Sequence, residues 1–338
     1  MRLTVIGTVA ASVAVAAVVG LTSARDRAVP EVSAGVLGGP AAMTPPRSLP
    51  GAAGAPVTAP TAPPATAAPT TTTVRRAAAA PAAPVARPKR PGPGTVQFFT
   101  MPSGDADGKR RSFWVYRPGL PDTADLPVVY FLHGYPGNER ALSQTDFAWT
   151  LERAFASGVA PFVVVAPNGQ SGLRPDTEWA DAADGKVRLE TWLVDHLIPA
   201  VEGPNRRDRA HRAVMGFSMG GFGAMNLGLR HPDLFGQIVS IAGYFRIDDP
   251  SGMGRRDPQW EEANSPDRHV AAGAGSRILL VSAAEESDPL IVGEAQRYRR
   301  LAEAAGQHPT LVVAPGPHLF DLVVTQLPGV ARFLSAGW

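Results

Sequence analysis

The sequence predicts an α/β domain with a mostly parallel central sheet flanked by helices, preceded by a disordered Pro/Ala-rich tether. Three observations predict it. From about residue 95 to residue 338, short apolar runs alternate with helix-length stretches, the pattern of a largely parallel sheet with helices on both faces. Residues 127–133 are apolar without a break up to the closing His133, as a central strand requires. Residues 212–222 read as a buried strand, a tight turn and the start of a helix, with Ser218 at the turn in Gly216-Phe217-Ser218-Met219-Gly220.

Residues 1–24 open with Arg2, continue through an apolar run from Leu3 to Leu21 and end in Thr22-Ser23-Ala24. A positive start, an apolar middle and small residues before a cut make a secretory signal peptide. The run is also close to the length of a membrane span, so if uncut it is an N-terminal anchor. Either way the rest of the chain is expected outside the cytoplasm, secreted or tethered to the membrane or cell envelope. Residues 25–94 are Ala, Pro and Thr with few bulky apolar side chains, so they cannot bury enough surface to offset their ordering entropy. At about 3.1 Å per residue such a linker reaches on the order of 200 Å. Residues 95–338 are left for one catalytic-size domain.

Within it, residues 96–100 and 112–117 read as strands of an antiparallel start, and 127–133 as the central strand. Residues 140–156 read as a helix, 161–166 as a buried strand ended by Pro167-Asn168-Gly169, and 187–201 as an amphipathic helix. After the 212–222 stretch, with its helix running to Arg230, come strands at 237–242, 277–282 and 310–313 and helices at 291–305 and 319–334.

Charge excludes some functions. The net +2 divides into +7 for residues 1–94, which hold nine basic and two acidic residues, and −5 for residues 95–338. The basic pI therefore belongs to the tail, and the domain has no basic excess for nucleic acid. With no cysteine, disulfides and thiol chemistry are excluded. The seven histidines form no metal-binding pattern, and no cofactor or metal is called for.

The chemistry centres on Ser218. A serine hydroxyl needs exposure, a base, an orienting acid and donors for the developing oxyanion. Gly216 and Gly220 allow close backbone approach, and the following helix aims its N–H dipoles at the serine. His318, in the Gly/Pro-rich loop 314–320 after the last strand, is the best-placed base, because His231, His269 and His308 lie at a helix end, in a polar loop and before a strand. The acid belongs to the segment after strand 277–282, where Glu285, Glu286 and Asp288 are candidates; Asp288, later in the loop and followed by Pro289, is preferred. Met219 N–H and Tyr135 N–H, the latter after His133-Gly134, are the expected oxyanion donors.

These motifs resemble the putative-esterase family of α/β hydrolases, which includes esterase D, feruloyl esterases and mycolyltransferases. The resemblance rests on residues 130–134, 177–181, 190–192 with 197–199, 216–221 and 315–318. It implies an α/β-hydrolase fold, Ser218 as nucleophile, His318 as base, Asp288 as acid, Met219 and Tyr135 as oxyanion donors, and Trp179 and Asp181 lining an acyl or alcohol pocket. The expected function is an exported serine esterase acting on small-molecule, lipid or sugar esters. An acyltransferase moving acyl groups to envelope sugars or lipids is the second expectation, and a non-catalytic envelope-binding protein on the same scaffold is the third.

Overall fold

The computed structural model describes residues 4–5, 92–203 and 206–338. The expected signal or anchor and the linker lie outside the described residues, apart from Thr4–Val5 and the first residues of a strand that begins at Gly92. The strands are β1 (Thr4–Val5), β2 (Gly92–Pro102), β3 (Arg110–Gly119), β4 (Val128–Leu132), β5 (Val163–Pro167), β6 (Arg212–Phe217), β7 (Gln237–Ile241), β8 (Arg277–Ala283) and β9 (Thr310–Ala314). They form one sheet in the order β1-β2-β3-β5-β4-β6-β7-β8-β9. Pairing is antiparallel from β1 through β3 to β5 and parallel from β5 through β4 to β9. This is an α/β-hydrolase fold, as the sequence predicts.

Side chains alternate between the two faces of each strand, so the continuously apolar runs feed two cores. On β6, Val214 joins one core while Ala213, Met215 and Phe217 join the other. Helices α1 (Phe147–Ala156) and α7 (Asp321–Ser335) cover the second face. The first is covered by α2 (Leu189–Thr191), α3 (Ile198–Glu202), α4 (Met219–Arg230) and α6 (Glu294–Ala304). A short α5 (Pro258–Ala263) lies between β7 and β8.

Three boundaries differ from expectation for local reasons. Residues 140–146 are turns around a single 3-10 turn, Leu142–Gln144, rather than the start of α1, because Ser143 Oγ and Thr145 Oγ1 donate back to Arg140 O (2.9 Å) and Leu142 O (3.0 Å). The helix expected at 187–201 is α2 and α3 joined by a π-helical turn, Trp192–Leu197. Pro199 cannot donate to the carbonyl four residues back, and the wider turn directly precedes it. Helix α6 starts at Glu294 rather than at 291, because Gly293 adopts φ +76°.

The order of strands turns at β4, which lies between β5 and β6. Such a switch point opens a crevice at the carboxyl ends of the strands. There Leu132 pairs with Gly216, so the loops after β4 and β6 emerge side by side. At the other end of β6, Arg212 makes a buried two-point ion pair with Glu202, at 2.8 Å for both Nε–Oε1 and Nη2–Oε2. Among the described residues no helix is long and apolar enough to cross a membrane.

Candidate active site

Ser218 is the turn residue between β6 and α4, with φ +57° and ψ −122°. A side chain in that conformation is strained, and the surroundings enforce it. A Cβ on Gly216 would overlap Gly220 O, and one on Gly220 would overlap Leu132 O, so both flanking positions require glycine. Ser218 N donates to Ile241 O (2.9 Å), and Ser218 O accepts from Phe222 N (3.0 Å). The hydroxyl is thereby held at the mouth of the crevice, at the N-terminus of α4.

His318 Nε2 lies 3.0 Å from Ser218 Oγ, and His318 Nδ1 lies 2.7 Å from Glu286 Oε2. With Nδ1–H donating to the carboxylate, Nε2 presents its lone pair to the serine hydroxyl. The ring of Phe217 lies 4.9 Å from the imidazole and supports it. The arrangement can take the proton from Ser218 and hold the resulting imidazolium against a carboxylate.

The carboxylate against this histidine is that of Glu286, not that of the expected Asp288. The β8–β9 ladder continues past the strands, with Ala284 N donating to Ala314 O (2.8 Å) and Glu285 N to Gly316 O (3.1 Å). That pairing sets residue 286 beside the 316–318 turn. Glu286 Oε1 is fixed by the Ser287 and Asp288 N–H groups, both at 3.0 Å. Asp288 is exposed and turned away: its Oδ1 accepts from Leu290 N (2.9 Å), capping the next turn. Glu285 is exposed as well.

The loop after β4 meets the nucleophile closely, since a Cβ on Gly134 would lie 2.9 Å from Ser218 Cβ. His133 is buried, with Nε2 accepting from Gly169 N (2.8 Å) and Nδ1 facing Gly134 O (2.9 Å). These two bonds require a neutral ring protonated on Nδ1. Burial supports this by pulling the His133 pKa down to about 4. Met219 is the first residue of α4, where a backbone N–H has no partner within the helix. Met219 directly follows Ser218, and Gly134 brings the loop that carries Tyr135 against it.

Trp179, expected to line a substrate pocket, is a buried strut, and the half-buried Asp181 is engaged as a cap. Trp179 is 0% exposed, and its Nε1–H donates to His133 O at 3.1 Å. Asp181 Oδ1 accepts from Thr191 N (3.0 Å) and its Oδ2 from Thr191 Oγ1, so it caps the start of α2. The sequence carries a Trp and an Asp near the site but nothing in it tells a strut and a cap from a lining. An open cleft lies along the loop after β4. It measures about 410 Å³ and is walled by Tyr135, Phe217, Phe320, Gln144, Thr145 and Asp321. Beneath the 177–179 strap, Tyr244 OH donates to Glu178 Oε2 at 2.5 Å. Burial, with the Asp176 carboxylate nearby, holds the Glu178 carboxyl well above its ordinary range.

The putative-esterase family matches residues 105–318, which include Ser218, Glu286 and His318. The chain belongs to that family. Esterase Rv1288 of Mycobacterium tuberculosis is 25% identical over 252 residues, 62% of this chain and 52% of its own. The diacylglycerol acyltransferase/mycolyltransferase Ag85A of Mycobacterium leprae is 29% identical over 140 residues, 39% of each chain. An endo-1,4-beta-xylanase/feruloyl esterase of Xylanibacter ruminicola is 32% identical over 124 residues, 35% of this chain and 16% of its own. The chain thus spans about half or less of the length of these relatives. Among solved structures, a ferulic acid esterase superposes with a TM-score of 0.62 at 22% identity, covering 72% of this chain and 99% of that one. The S-formylglutathione hydrolase of Agrobacterium tumefaciens gives 0.60 at 18% identity, covering 72% and 96%.

Proposed function

We propose that this chain is an exported serine esterase that cleaves carboxylic esters through an acyl-enzyme on Ser218. The observation that carries the reading is the double contact of His318, with Ser218 Oγ at 3.0 Å and Glu286 at 2.7 Å. Ser218 Oγ bonds to the acyl carbon as its proton passes to His318 Nε2. The tetrahedral oxyanion accepts from Met219 N–H and Tyr135 N–H. The C–O bond to the alcohol then breaks, and the alcohol leaves with the histidine's proton. Water attacks in the same way, its proton going to His318 and then to Ser218 as the acid departs. Glu286 keeps the imidazole in the required tautomer and offsets its charge. Export rests on residues 1–24, which have the layout of a signal peptide or anchor.

A second reading is favoured by the likeness to the mycolyltransferase of M. leprae. If an acceptor alcohol displaces water at the acyl-enzyme, the same residues transfer the acyl group to a sugar or lipid.

The experiment follows wild type and Ser218→Ala on p-nitrophenyl esters of graded chain length, with and without trehalose, alongside labelling by a fluorophosphonate. Turnover and labelling that vanish in the variant are expected. Acyl product on the sugar would move the assignment to transfer. A folded wild type with neither turnover nor labelling would leave a binding protein on a hydrolase scaffold.

A further inference from the structure

We propose that Trp179, which touches no substrate, is a positioning residue that sets the oxyanion loop against the nucleophile helix. The inference rests on the esterase reading. Trp179 is wholly buried, and three elements of the site close on it. Its ring atoms lie 2.5 Å from where a Cβ on Gly169 would stand, and its own Cβ 2.6 Å from where one on Gly223 would stand. Gly169 follows β5, and Gly223 lies in α4, just over one turn from Ser218. Both positions are glycine because the indole fills the space. The third element is the oxyanion loop: Trp179 Nε1–H donates to His133 O at 3.1 Å, and the indole packs edge-on against the His133 ring at 5.1 Å.

The consequence follows from planar peptides, in which each N–H points opposite to the preceding C=O. Trp179 holds His133 O and so fixes the His133–Gly134 plane. Gly134 O is held by His133 Nδ1–H (2.9 Å) and Gly137 N–H (2.7 Å), which fixes the Gly134–Tyr135 plane. The Tyr135 N–H therefore points away from those two donors. Losing the indole bond frees the first plane, and the second hangs from it.

The backbone around Trp179 is built to hold it. Glu178 and Trp179 have φ +49° and +55°, two consecutive non-glycine residues in the left-handed region. Such backbone is costly and persists only where the surroundings over-determine it. Thr177 Oγ1 donates to Gly169 O at 2.6 Å. Glu178 is tied by Tyr244, which stacks 4.9 Å from Phe222 in α4. The 177–179 strap is thus anchored to the β5 exit, the oxyanion loop and the nucleophile helix together.

The test uses the full chain, p-nitrophenyl acetate and an aryl trifluoromethyl ketone, to which Ser218 Oγ adds reversibly and which places an oxyanion in the same hole. Trp179→Phe keeps a ring in the slot and removes the Nε1–H. The expected result is a kcat lower by about 10- to 100-fold with KM within about twofold. The ketone's inhibition constant should rise by the same factor as kcat/KM falls. A loss carried by KM, a kcat loss with an unchanged ketone constant, or no loss overturns the proposal. Should Trp179→Phe not fold, Thr177→Val, which keeps the side-chain shape and releases Gly169 O, decides on the same two constants: a smaller but matched change supports the strap, and unchanged constants overturn it. A folded wild type that neither turns over ester nor takes up fluorophosphonate removes the esterase reading and this inference with it. An active wild type with an indifferent variant removes this inference alone.

Discussion

Glu286 Oε2 sits 2.7 Å from His318 Nδ1, with the glutamate side chain 4% exposed and the imidazole 24% exposed. The carboxylate is shielded while the ring it orients still reaches the crevice. Glu286→Gln presents either an amide oxygen or an N–H to Nδ1, and the N–H favours the wrong tautomer. The expected fall in kcat is on the order of 10³–10⁴-fold. Asp288→Asn, which alters only the cap on Leu290 N, should stay within about threefold of wild type. The measurement is kcat on one p-nitrophenyl ester for both variants. A large loss in Asp288→Asn with a small one in Glu286→Gln would reverse the assignment.

The difference between those two residues also marks where sequence stops being legible. Ser218 could be read directly, because the steric demand for Gly216 and Gly220 is written as residue types. His318 could be read by its place after the last apolar strand. Glu285, Glu286 and Asp288 could not be separated, because the choice depends on a ladder that extends through Ala284 and Glu285 and on which side chain then emerges beside residue 318. The strand–helix alternation gave the sheet and its two layers, since burial on both faces leaves unbroken apolar runs. It missed α5, although Asp257-Pro258 is a start signal and Asp257 does accept from Gln259 N (2.9 Å), because six residues are too few to show a period. Trp179 was legible as a residue near the site; its burial was not, because the glycines that admit it are 10 and 44 residues away.

His133 should leave a signature in stability against pH. Its pKa is pulled from 6.5 to about 4 by burial. The unfolded chain binds this proton more readily, so stability is fully present above about 6.5 and is lost as pH falls towards 4. The shift corresponds to roughly 3 kcal/mol across that window. Urea midpoints of wild type and His133→Asn at intervals from pH 4 to 7.5 test it. Wild type should lose stability faster on acidification than the variant does, and parallel curves would refute the assignment.

Glu178 should act in the opposite sense. Burial raises its pKa well above the ordinary 4.5, with the Asp176 carboxylate adding to the effect. The unfolded chain loses this proton first, so stability falls as pH rises from about 4.5 towards the folded value. Glu178→Gln keeps the shape of the neutral carboxyl and an oxygen to accept from Tyr244 OH. Its Tm should gain on wild type steadily from pH 5 to pH 8, by about 2–4 °C for each kcal/mol of ionisation cost removed. A Tm difference that does not change with pH would show that the carboxyl is ionised throughout.

The ion pair at the far end of β6 gives a test of fold rather than chemistry. The Arg212 and Glu202 side chains are 2% and 0% exposed, and Glu202 also accepts from Tyr130 OH (3.0 Å) and Arg207 N (2.7 Å). Arg212→Met leaves a buried carboxylate without its guanidinium and should cost about 3–5 kcal/mol in urea unfolding. The double variant Arg212→Met/Glu202→Leu removes both charges and should recover a good part of that loss, because desolvation of the pair offsets much of its attraction. Since the pair lies at the amino end of β6 and Ser218 follows its carboxyl end, kcat of the folded double variant should remain within a few-fold of wild type. A double variant no more stable than Arg212→Met would mean that the Tyr130 and Arg207 contacts to Glu202, rather than the charge pairing, hold this end of the strand.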